Sequence, residues 1–364
     1  MTQTTSTTEI VDPYAGFVLG MAVGDSLGLP REGLTPRRAS RLYGSAPLRH
    51  HFVFGRGMVS DDTEHMVMTA HALLAEPDDS VRFARHLARR LRWWLLGLPA
   101  GVGLATAKSI IRLWLGWSPA SSGVRSAGNG PAMRAGVLGL CLHRDEAKLR
   151  EYVRVSTRLT HTDPRAETGA LLIALAARAA LHSKETPLDA ASFLAACRIE
   201  APDDEWQHVL EQVQTSLTSG ESATQFAKRL GLQRGVTGYI VHTVAAVLFC
   251  WLRWPGEFRR PMEAIIELGG DADTTAAILG GLLGASHGAD SIPPEWLDGL
   301  IEWPCSVTWL RGQLAPAMRL IAQTDSSTAT LHVSRWRWSA QLARNALFLL
   351  IVLFHGFRRL LPPY

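Results

Sequence analysis

The sequence predicts an all-α, single-domain orthogonal multi-helix bundle, and three observations support that fold class. Apolar residues recur at three- and four-residue spacing along most of the chain. Alternating apolar and polar patterns bounded by hairpin turns are scarce, and residues 50–54 are the one short strand candidate. Many of the periodic stretches are rich in alanine and glycine, which allows helix axes to approach one another closely.

The helical period is clearest in stretches separated by short breaks that carry glycine and proline. None of these breaks is long or polar enough to link two domains, so we expect a dozen or so helices in one domain, with functional residues on the connections. The predicted helices cover residues 14–27, 63–74, 81–96, 106–115, 165–181, 187–197, 205–217, 236–252 and 274–285.

Three regions are predicted along the chain. Residues 1–12 form a polar, threonine-rich lead-in that we expect to be disordered. They lack the basic and apolar segments of a secretory signal, so we do not interpret them as one. Residues 13–322 form the all-α domain. Residues 323–364 form a polar linker followed by a basic and apolar C-terminal helix.

The composition indicates a folded, intracellular protein. Apolar residues make up 47% of the chain, which is ample material for a buried core. The four cysteines are far apart and form no Cys-x-x-Cys pair, so we interpret them as small buried side chains in a reducing compartment. The expected location is therefore the cytoplasm.

The net charge of +4 does not indicate a nucleic-acid partner, because five arginines of the C-terminal tail account for it. From residue 335 onward the tail contains no acidic residue. Without its arginines the chain has 32 basic residues against 33 acidic ones. A protein that binds nucleic acid normally carries a basic stripe on its folded body, and this sequence has none.

The tail also contains an uninterrupted apolar stretch at residues 346–354, flanked by Arg344, Arg358 and Arg359. This stretch is too short to cross a bilayer core of about 30 Å as a helix. Two interpretations remain open. The tail lies in a membrane interface, with its arginines and tryptophans at the depth of the headgroups, or it is a last helix packed on the body or on a second subunit.

Two acidic clusters precede predicted helices, at residues 59–64 (VSDDTE) and 269–275 (GGDADTT). Helix capping is the simpler interpretation of each cluster, since Asp, Ser and Thr accept hydrogen bonds from free backbone amides. Each cluster nevertheless holds more oxygen ligands than a cap can use. If the clusters meet, a cation must offset the carboxylates, and hard oxygen ligands favour Mg²⁺ or Mn²⁺. The aspartates concerned are Asp61, Asp62, Asp271 and Asp273.

Five stretches, in this order, resemble the ADP-ribosylglycohydrolase family, which includes the dinitrogenase-reductase-activating glycohydrolases. Each is weakly specific alone, but together they cover roughly residues 14–320 and are highly specific. The stretches are residues 20–28 (GMAVGDSLG) with Glu32 just beyond, 60–63 (SDDT), 128–134 (GNGPAMR), 160–164 (THTDP) and 269–275 (GGDADTT).

The resemblance implies two divalent metal ions in a cleft of an all-α fold, and it implies roles for individual residues. Glu32 matches the acidic residue near the bond that breaks. Asp25 lies inside the first helix and is expected to tie loops together. The implied metal ligands are Ser60, Asp61, Asp62, Asp271, Asp273 and Thr274; the implied substrate-binding residues are Ser126, Gly128, Asn129, Gly130 and His161.

The implied reaction is metal-dependent hydrolysis of the C1″ glycosidic or ester bond of ADP-ribose, through an oxocarbenium-like transition state. The metals would clamp the ribose hydroxyls and activate a water. Glu32 would position that water, take its proton or protonate the departing group. Backbone amides of the Gly128-Asn129-Gly130 turn would cradle the pyrophosphate. The partner is an ADP-ribosylated protein or a small molecule that contains ADP-ribose.

Simpler structural interpretations of these residues remain open: Glu32 is a solvated loop acid, His161 is a packed or capping histidine, and the loop glycines are ordinary turn residues. Two other functions compete with the enzyme. One is a protein that binds ADP-ribose or has a structural role without turnover, like the crystallin-like relatives; the other is a metal-dependent phosphohydrolase, which would not need residues 128–130 or His161. Gly101 stands where some relatives carry an acidic residue, which leaves the acceptor linkage open.

Overall fold

The computed structural model describes residues 12–183, 188–323 and 338–362. Its first half consists of α1 Pro13–Gly28, α2 Pro36–Tyr43, α3 Asp61–Ala75, α4 Ser80–Leu96, α5 Leu104–Trp114, α6 Ala132–Cys141, α7 Glu146–Arg158, α8 Pro164–His182 and α9 Ala190–Glu200. Its second half consists of α10 Asp204–Thr218, α11 Ala223–Arg229, α12 Ile240–Arg253, α13 Arg259–Glu267, α14 Ala272–His287, α15 Pro294–Asp298, α16 Val307–Trp309, α17 Ala315–Gln323 and α18 Trp338–Arg359.

The all-α prediction is confirmed, with more helices than the dozen or so expected. All nine periodic stretches contain a helix, although residue 187 lies outside the described residues. The strand prediction for residues 50–54 is wrong, since the described chain has only an isolated bridge there, between Val53 and Arg56. The helix predicted from residue 236 begins at Ile240, because the backbone of Val236 pairs with Gly269 and Asp271 instead.

Helices α1 and α14 form the centre of the fold and run antiparallel in very close contact. A glycine recurs every fourth residue along α1, and a methyl group at any of these positions would overlap the backbone of α14. Gly16 faces Gly284, Gly20 faces Gly280, and further along the pair Gly28 faces Ala272. The C-terminal end of α1 is thereby fixed beside the N-terminal end of α14, where one acidic cluster lies.

One continuous hydrophobic core surrounds this pair and includes buried residues of α3, α6, α8 and α12. The four cysteines are buried and unpaired, as the sequence predicted. The domain boundaries at residues 13 and 322 stay predictions. The lead-in up to residue 11 and the linker at 324–337 lie outside the described residues.

The tail forms α18, which packs on the body along one face and leaves an apolar face exposed. Arg344, Asn345 and Phe348 are buried, whereas Leu350 and Phe354 are about two-thirds exposed. Residues 339–359, which extend the short apolar stretch at 346–354 in both directions, are the one described segment long and apolar enough to cross a membrane by length and composition. This is weak evidence for a span. Of the two interpretations, packing on the body is observed, and contact with a membrane stays a prediction.

Because α1 and α14 are in close contact, we expect two Gly→Ala substitutions to have very different effects on the free energy of unfolding. In Gly20→Ala the new methyl group would lie 2.1 Å from the carbonyl oxygen of Gly280, so we expect the free energy of unfolding to fall by about 3 kcal/mol. Gly356→Ala in α18 meets no atom within 4 Å and should stabilise its helix by up to about 1 kcal/mol. Denaturant unfolding of both variants measures this, and equal stabilities would contradict the tight contact.

Candidate active site

The two acidic clusters meet at the N-terminal ends of α3 and α14. The hydroxyl of Thr274 donates a hydrogen bond to Oδ2 of Asp62 over 3.2 Å, although the two residues are 212 positions apart. Ser60 caps α3 and donates to the same carboxylate oxygen over 3.3 Å. The sequence-based hypothesis required this proximity, and the described structure provides it.

Asp25, in the last turns of α1, holds the first cluster in place. Its fully buried carboxylate accepts hydrogen bonds from the amide of Ser60 at 2.9 Å and from the amide and hydroxyl of Thr63 at 3.1 and 2.6 Å. Burial raises its pKa to about 6, and these hydrogen bonds oppose the rise. Asp25 therefore positions the turn from behind, and no atom of it lines the cleft described below.

A turn at Gly269 and Gly270 presents the second cluster. Both residues have positive φ, +67° and +78°, which side chains rarely adopt. The amide of Gly270 donates to the carbonyl of Leu34 at 2.8 Å, and the amide of Gly33 donates back to Gly270 at 2.7 Å. The loop that carries Glu32 is thereby joined to the residue that precedes Asp271.

These turns border a cleft of about 590 Å³. A volume of this order suits a ligand of nucleotide size. Of the predicted site residues, Ser60 and Asp62 lie behind its wall, in contact with Asp25 and Thr274. The others all line it: Glu32, Asp61, Asp271, Asp273 and Thr274 on the acidic side, and Ser126, Gly128, Asn129, Gly130 and His161 on the other.

Burial and mutual repulsion oppose the ionisation of the clustered carboxyl groups. The pKa values of Asp61, Asp62 and Asp273 lie well above the ordinary aspartate value, first because of burial and then because of neighbouring carboxylates. Burial likewise raises the pKa of Glu32, and Asp271 adds to the effect while Arg359 opposes it. A cation in the cleft would reverse this penalty.

The donor atoms fit hard divalent cations. Oδ1 of Asp62 and Oδ1 of Asp273 are buried without a hydrogen-bond partner, which proteins avoid unless another group satisfies such atoms. Carboxylate and hydroxyl oxygens dominate the cluster, as Mg²⁺ and Mn²⁺ prefer. Across the described residues, however, no three His, Cys, Asp or Glu side chains are already close enough to form a finished ligand group.

The opposite wall is a glycine turn that lies directly over His161. A methyl group on Gly128 or Gly130 would lie 3.1 Å from the imidazole ring, so both glycines permit the contact. Burial lowers the pKa of His161 to about 3, and Arg134 contributes, so the ring is neutral at physiological pH. Its Nδ1 is hydrogen-bonded to the hydroxyl of Thr160 at 2.9 Å.

Asn129 links this wall to the acidic side. Its side-chain amide donates to Oδ2 of Asp271 at 2.6 Å and to the hydroxyl of Thr243 at 2.9 Å. The expectation that amides of this turn hold a pyrophosphate stays a prediction, and two of these amides have partners within the protein. The amide of Gly128 donates to the hydroxyl of Ser126, and the amide of Asn129 donates to the carbonyl of Gly238.

Part of the cleft is lined by residues that the sequence did not predict to be functional. Arg234, Thr237 and the glycines beside them line it, on the extended segment before α12. Closely spaced glycines at positions 231, 235 and 238 were the available signal, but the helical period had absorbed that segment into a helix. Gly101 also lines the cleft, with φ +82° and no atom within 4 Å of the position that a Cβ would take.

Raised carboxyl pKa values predict a pH-dependent response to metal. A raised carboxyl pKa means that ionisation lowers the free energy of unfolding. This cost grows as pH rises from the unfolded pKa near 4 through the folded pKa, which is about 6 for Asp25 and is raised well above the ordinary aspartate value by burial for Asp62. Protons compete with cations for these oxygens. The increase in Tm on adding Mg²⁺ or Mn²⁺ should therefore be larger at pH 7.5 than at pH 5. Differential scanning fluorimetry with and without EDTA checks this, and an increment that does not change with pH would contradict it.

Comparison with known proteins identifies the family to which the chain is similar. The family model for ADP-ribosylglycohydrolase matches residues 6–329. The chain is 31% identical to an uncharacterized protein of Archaeoglobus fulgidus over 79% of this chain and 92% of that protein. It is 29% identical to the ADP-ribosyl-dinitrogen reductase glycohydrolase of Rhodospirillum rubrum over 79% and 90%. A solved chain of an ADP-ribosylglycohydrolase-related protein complex superposes with a TM-score of 0.65 at 27% identity, over 86% of this chain and 98% of that one.

Proposed function

Because this chain belongs to the ADP-ribosylglycohydrolase family, we propose that it hydrolyses the C1″ bond joining ADP-ribose to a protein side chain or a related small acceptor, with Mg²⁺ or Mn²⁺ bound in the cleft. One observation carries the proposal. The two acidic helix starts, joined by the Thr274–Asp62 hydrogen bond, border the same cleft as Glu32 and the glycine turn over His161. The relative from Rhodospirillum rubrum is named for hydrolysis of an ADP-ribosylated protein.

Asp61, Asp62, Asp271 and Asp273, with the hydroxyls of Ser60 and Thr274, would hold two ions. When bound, the ions would supply charge neutralisation and orient the ribose hydroxyls. Ser60 and Asp62 would act from the buried layer, where Oδ1 of Asp62 has no other partner.

Glu32 borders the cleft beside Asp271 and is the acidic residue that can handle a proton there. Its partial burial disfavours the charged form, which suits a group that exchanges a proton with water or a leaving group. Neutral His161 and the glycine turn give a close-fitting wall for the adenosine or ribose part of the substrate. Asn129 keeps that wall in register with Asp271 through its 2.6 Å hydrogen bond.

A binding protein without turnover is disfavoured as the alternative. The carboxylates of the cleft cost stability in the absence of a cation, and all four aspartates are present with Glu32. A protein that only bound ADP-ribose would gain nothing from that cost. The phosphohydrolase alternative has no use for the wall formed by Gly128, Gly130 and His161.

The test is release of ADP-ribose from three substrates: protein ADP-ribosylated on arginine, protein ADP-ribosylated on serine, and O-acetyl-ADP-ribose. Each is incubated with the full chain in Mg²⁺, in Mn²⁺ and in EDTA. We expect release from at least one substrate that stops in EDTA. Binding of ADP-ribose without any release would favour the inactive alternative, and release that continues in EDTA would contradict the metal dependence.

A further inference from the structure

Helix α18 begins beyond the region that the family model matches, yet it contacts the segments that form the cleft. Arg344 is 2% exposed, and its guanidinium lies between two buried carboxylates of the body. It binds Glu302 through two nitrogens, at 2.9 and 2.8 Å, and lies 3.5 Å from Glu64. Charge-assisted hydrogen bonds to two carboxylates hold the guanidinium of a fully buried arginine in one position.

This ion cluster surrounds the turn that precedes α3. Arg344 also donates to the carbonyl of Val59, and Glu302 accepts from the amide of Val59 at 3.0 Å. Val59 directly precedes Ser60 and Asp61, and Glu64 lies in the first turn of α3. Gln341, one turn before Arg344, donates to Glu64 as well. The peptide groups before the acidic cluster are thus held on both sides by residues that depend on α18.

The far end of α18 reaches the loop of Glu32. Arg359 donates to the carbonyl of Pro30 at 2.9 Å, and Arg38 of α2 donates to the carbonyl of Arg359. Between the two ends, His355 is hydrogen-bonded to the carbonyl of Phe52 at 2.6 Å. One helix therefore contacts both the metal-side turn and the loop of the acidic residue.

We propose that α18 is a brace of the cleft, and that Arg344 is a positioning residue which holds the Val59–Asp61 backbone in the geometry that divalent cations require. The inference rests on the proposed metal-dependent function. Residues that orient metal ligands from behind typically change metal affinity by 10–100-fold when they are removed. In this proposal Arg344 acts on metal affinity only through the backbone that it holds, without contacting the substrate or the ion.

The test compares Arg344→Met with Arg358→Met in the full chain. Arg358 is a half-buried arginine of the same helix whose side chain donates to the carbonyl of Pro362. Titration calorimetry with Mn²⁺ alone should give a Kd about tenfold higher for Arg344→Met and unchanged for Arg358→Met. Hydrogen exchange should be faster at the amides of residues 59–64 in the first variant only. Arg344→Lys keeps the charge but cannot reach all three partners, so it should give an intermediate Kd.

An unchanged Kd together with unchanged exchange in Arg344→Met would overturn the brace. Removal of Arg344 leaves two buried carboxylates without a cation, so this variant can fail to fold. Gln341→Leu then decides, because it removes the hydrogen bonds to Glu64 and Asn345 but no charge. Faster exchange at residues 59–64 supports the brace, and unchanged exchange overturns it. Exchange needs neither metal nor substrate, so failure of the proposed function stays distinguishable from failure of the brace.

A second, independent observation concerns the outward face of α18, which is apolar and exposed. An apolar stripe at three- and four-residue spacing runs along it and is 44–68% exposed. It is formed by Leu347, Leu350, Phe354 and Phe357 and, just beyond the end of the helix, by Leu361. Arginines of α2 and of the last turn of α18 lie at one end of this stripe. The sequence from residue 335 onward contains no acidic residue.

We infer that this stripe lies on an anionic lipid surface, with the helix parallel to the membrane. An apolar face bordered by arginine is the pattern of interfacial helices. A second copy of the chain would bring its own arginines to the interface without acidic residues of the tail to match them. The charge therefore favours lipid headgroups over self-association.

Sedimentation with vesicles tests the inference. The chain should bind vesicles of phosphatidylcholine with phosphatidylglycerol about tenfold more strongly than vesicles of phosphatidylcholine alone. Leu350→Glu with Phe354→Glu should abolish binding, whereas Ile199→Glu, at an exposed apolar residue of α9, should not. Binding to neither vesicle, equal binding to both, or a dimer in solution that the double variant dissociates would each overturn it.

Discussion

Asp271→Ala is expected to abolish divalent-cation binding and to lower kcat/KM by at least about a thousandfold. Asp271 borders the cleft at the start of α14, and its Oδ2 also accepts the 2.6 Å hydrogen bond from Asn129. Alanine would remove a ligand oxygen from the metal side and release Asn129 from the opposite wall. Both losses affect the same cleft, so we expect a large decrease in kcat/KM and only a small change in the free energy of unfolding.

Asp290→Ala is the matched control, because Asp290 is an exposed aspartate just beyond α14 whose nearest cation, on Arg311, is 3.7 Å away. Metal titration and single-substrate kinetics on both variants provide the measurement. If Asp271→Ala binds Mn²⁺ as tightly as the unmodified chain, Asp271 is not a ligand, and the assignment of the second acidic cluster is lost.

Glu32→Gln is expected to keep metal binding and to lower kcat by about 10²–10⁴-fold, the range for loss of a group that transfers a proton. Glutamine has nearly the same shape but cannot exchange a proton with water or a leaving group. The loop should keep its conformation, because the hydrogen bonds of Gly33 and Leu34 to Gly270 involve only the backbone. The expected signature is a change in kcat with little change in KM.

The control for this variant is Glu257→Gln, at a surface glutamate that pairs only loosely with Arg260, at 3.7 Å. Circular dichroism and Mn²⁺ titration establish that Glu32→Gln is folded and loaded before its kinetics are compared. Normal turnover by a loaded Glu32→Gln would remove Glu32 from the mechanism.

The helices were largely predictable because their apolar period follows directly from the core that they face. All nine periodic stretches contain a helix, and α1 is one of those whose small residues permit close contact between helices. The segment around Val236 shows where periodicity fails. Its apolar pattern continues that of α12, but its backbone hydrogen bonds go to Gly269 and Asp271, a partner more than thirty residues away in the sequence.

The acidic clusters were identifiable from residue type and from the family pattern, but the positions of their individual residues relative to the cleft were not. Asp61 borders the cleft, whereas Asp62 is buried behind it and bonded to Thr274. Adjacent residues at the start of a helix point in different directions, and the neighbouring helix decides which direction faces solvent. The same applies to the glycine turn, where packing against Gly238 and Ser126 used two amides that the sequence left available.

By itself, the sequence determined the helical class, the glycine pattern that lets α1 and α14 touch, and the oxygen-rich chemistry of the two acidic clusters, because these depend on residue type and local spacing. Only the tertiary structure decided that Thr274 meets Asp62 and that Arg344 of the last helix is buried between Glu64 and Glu302. The reason is physical: such contacts join residues between 42 and 280 positions apart, and they form only where the packing of many helices brings those residues together.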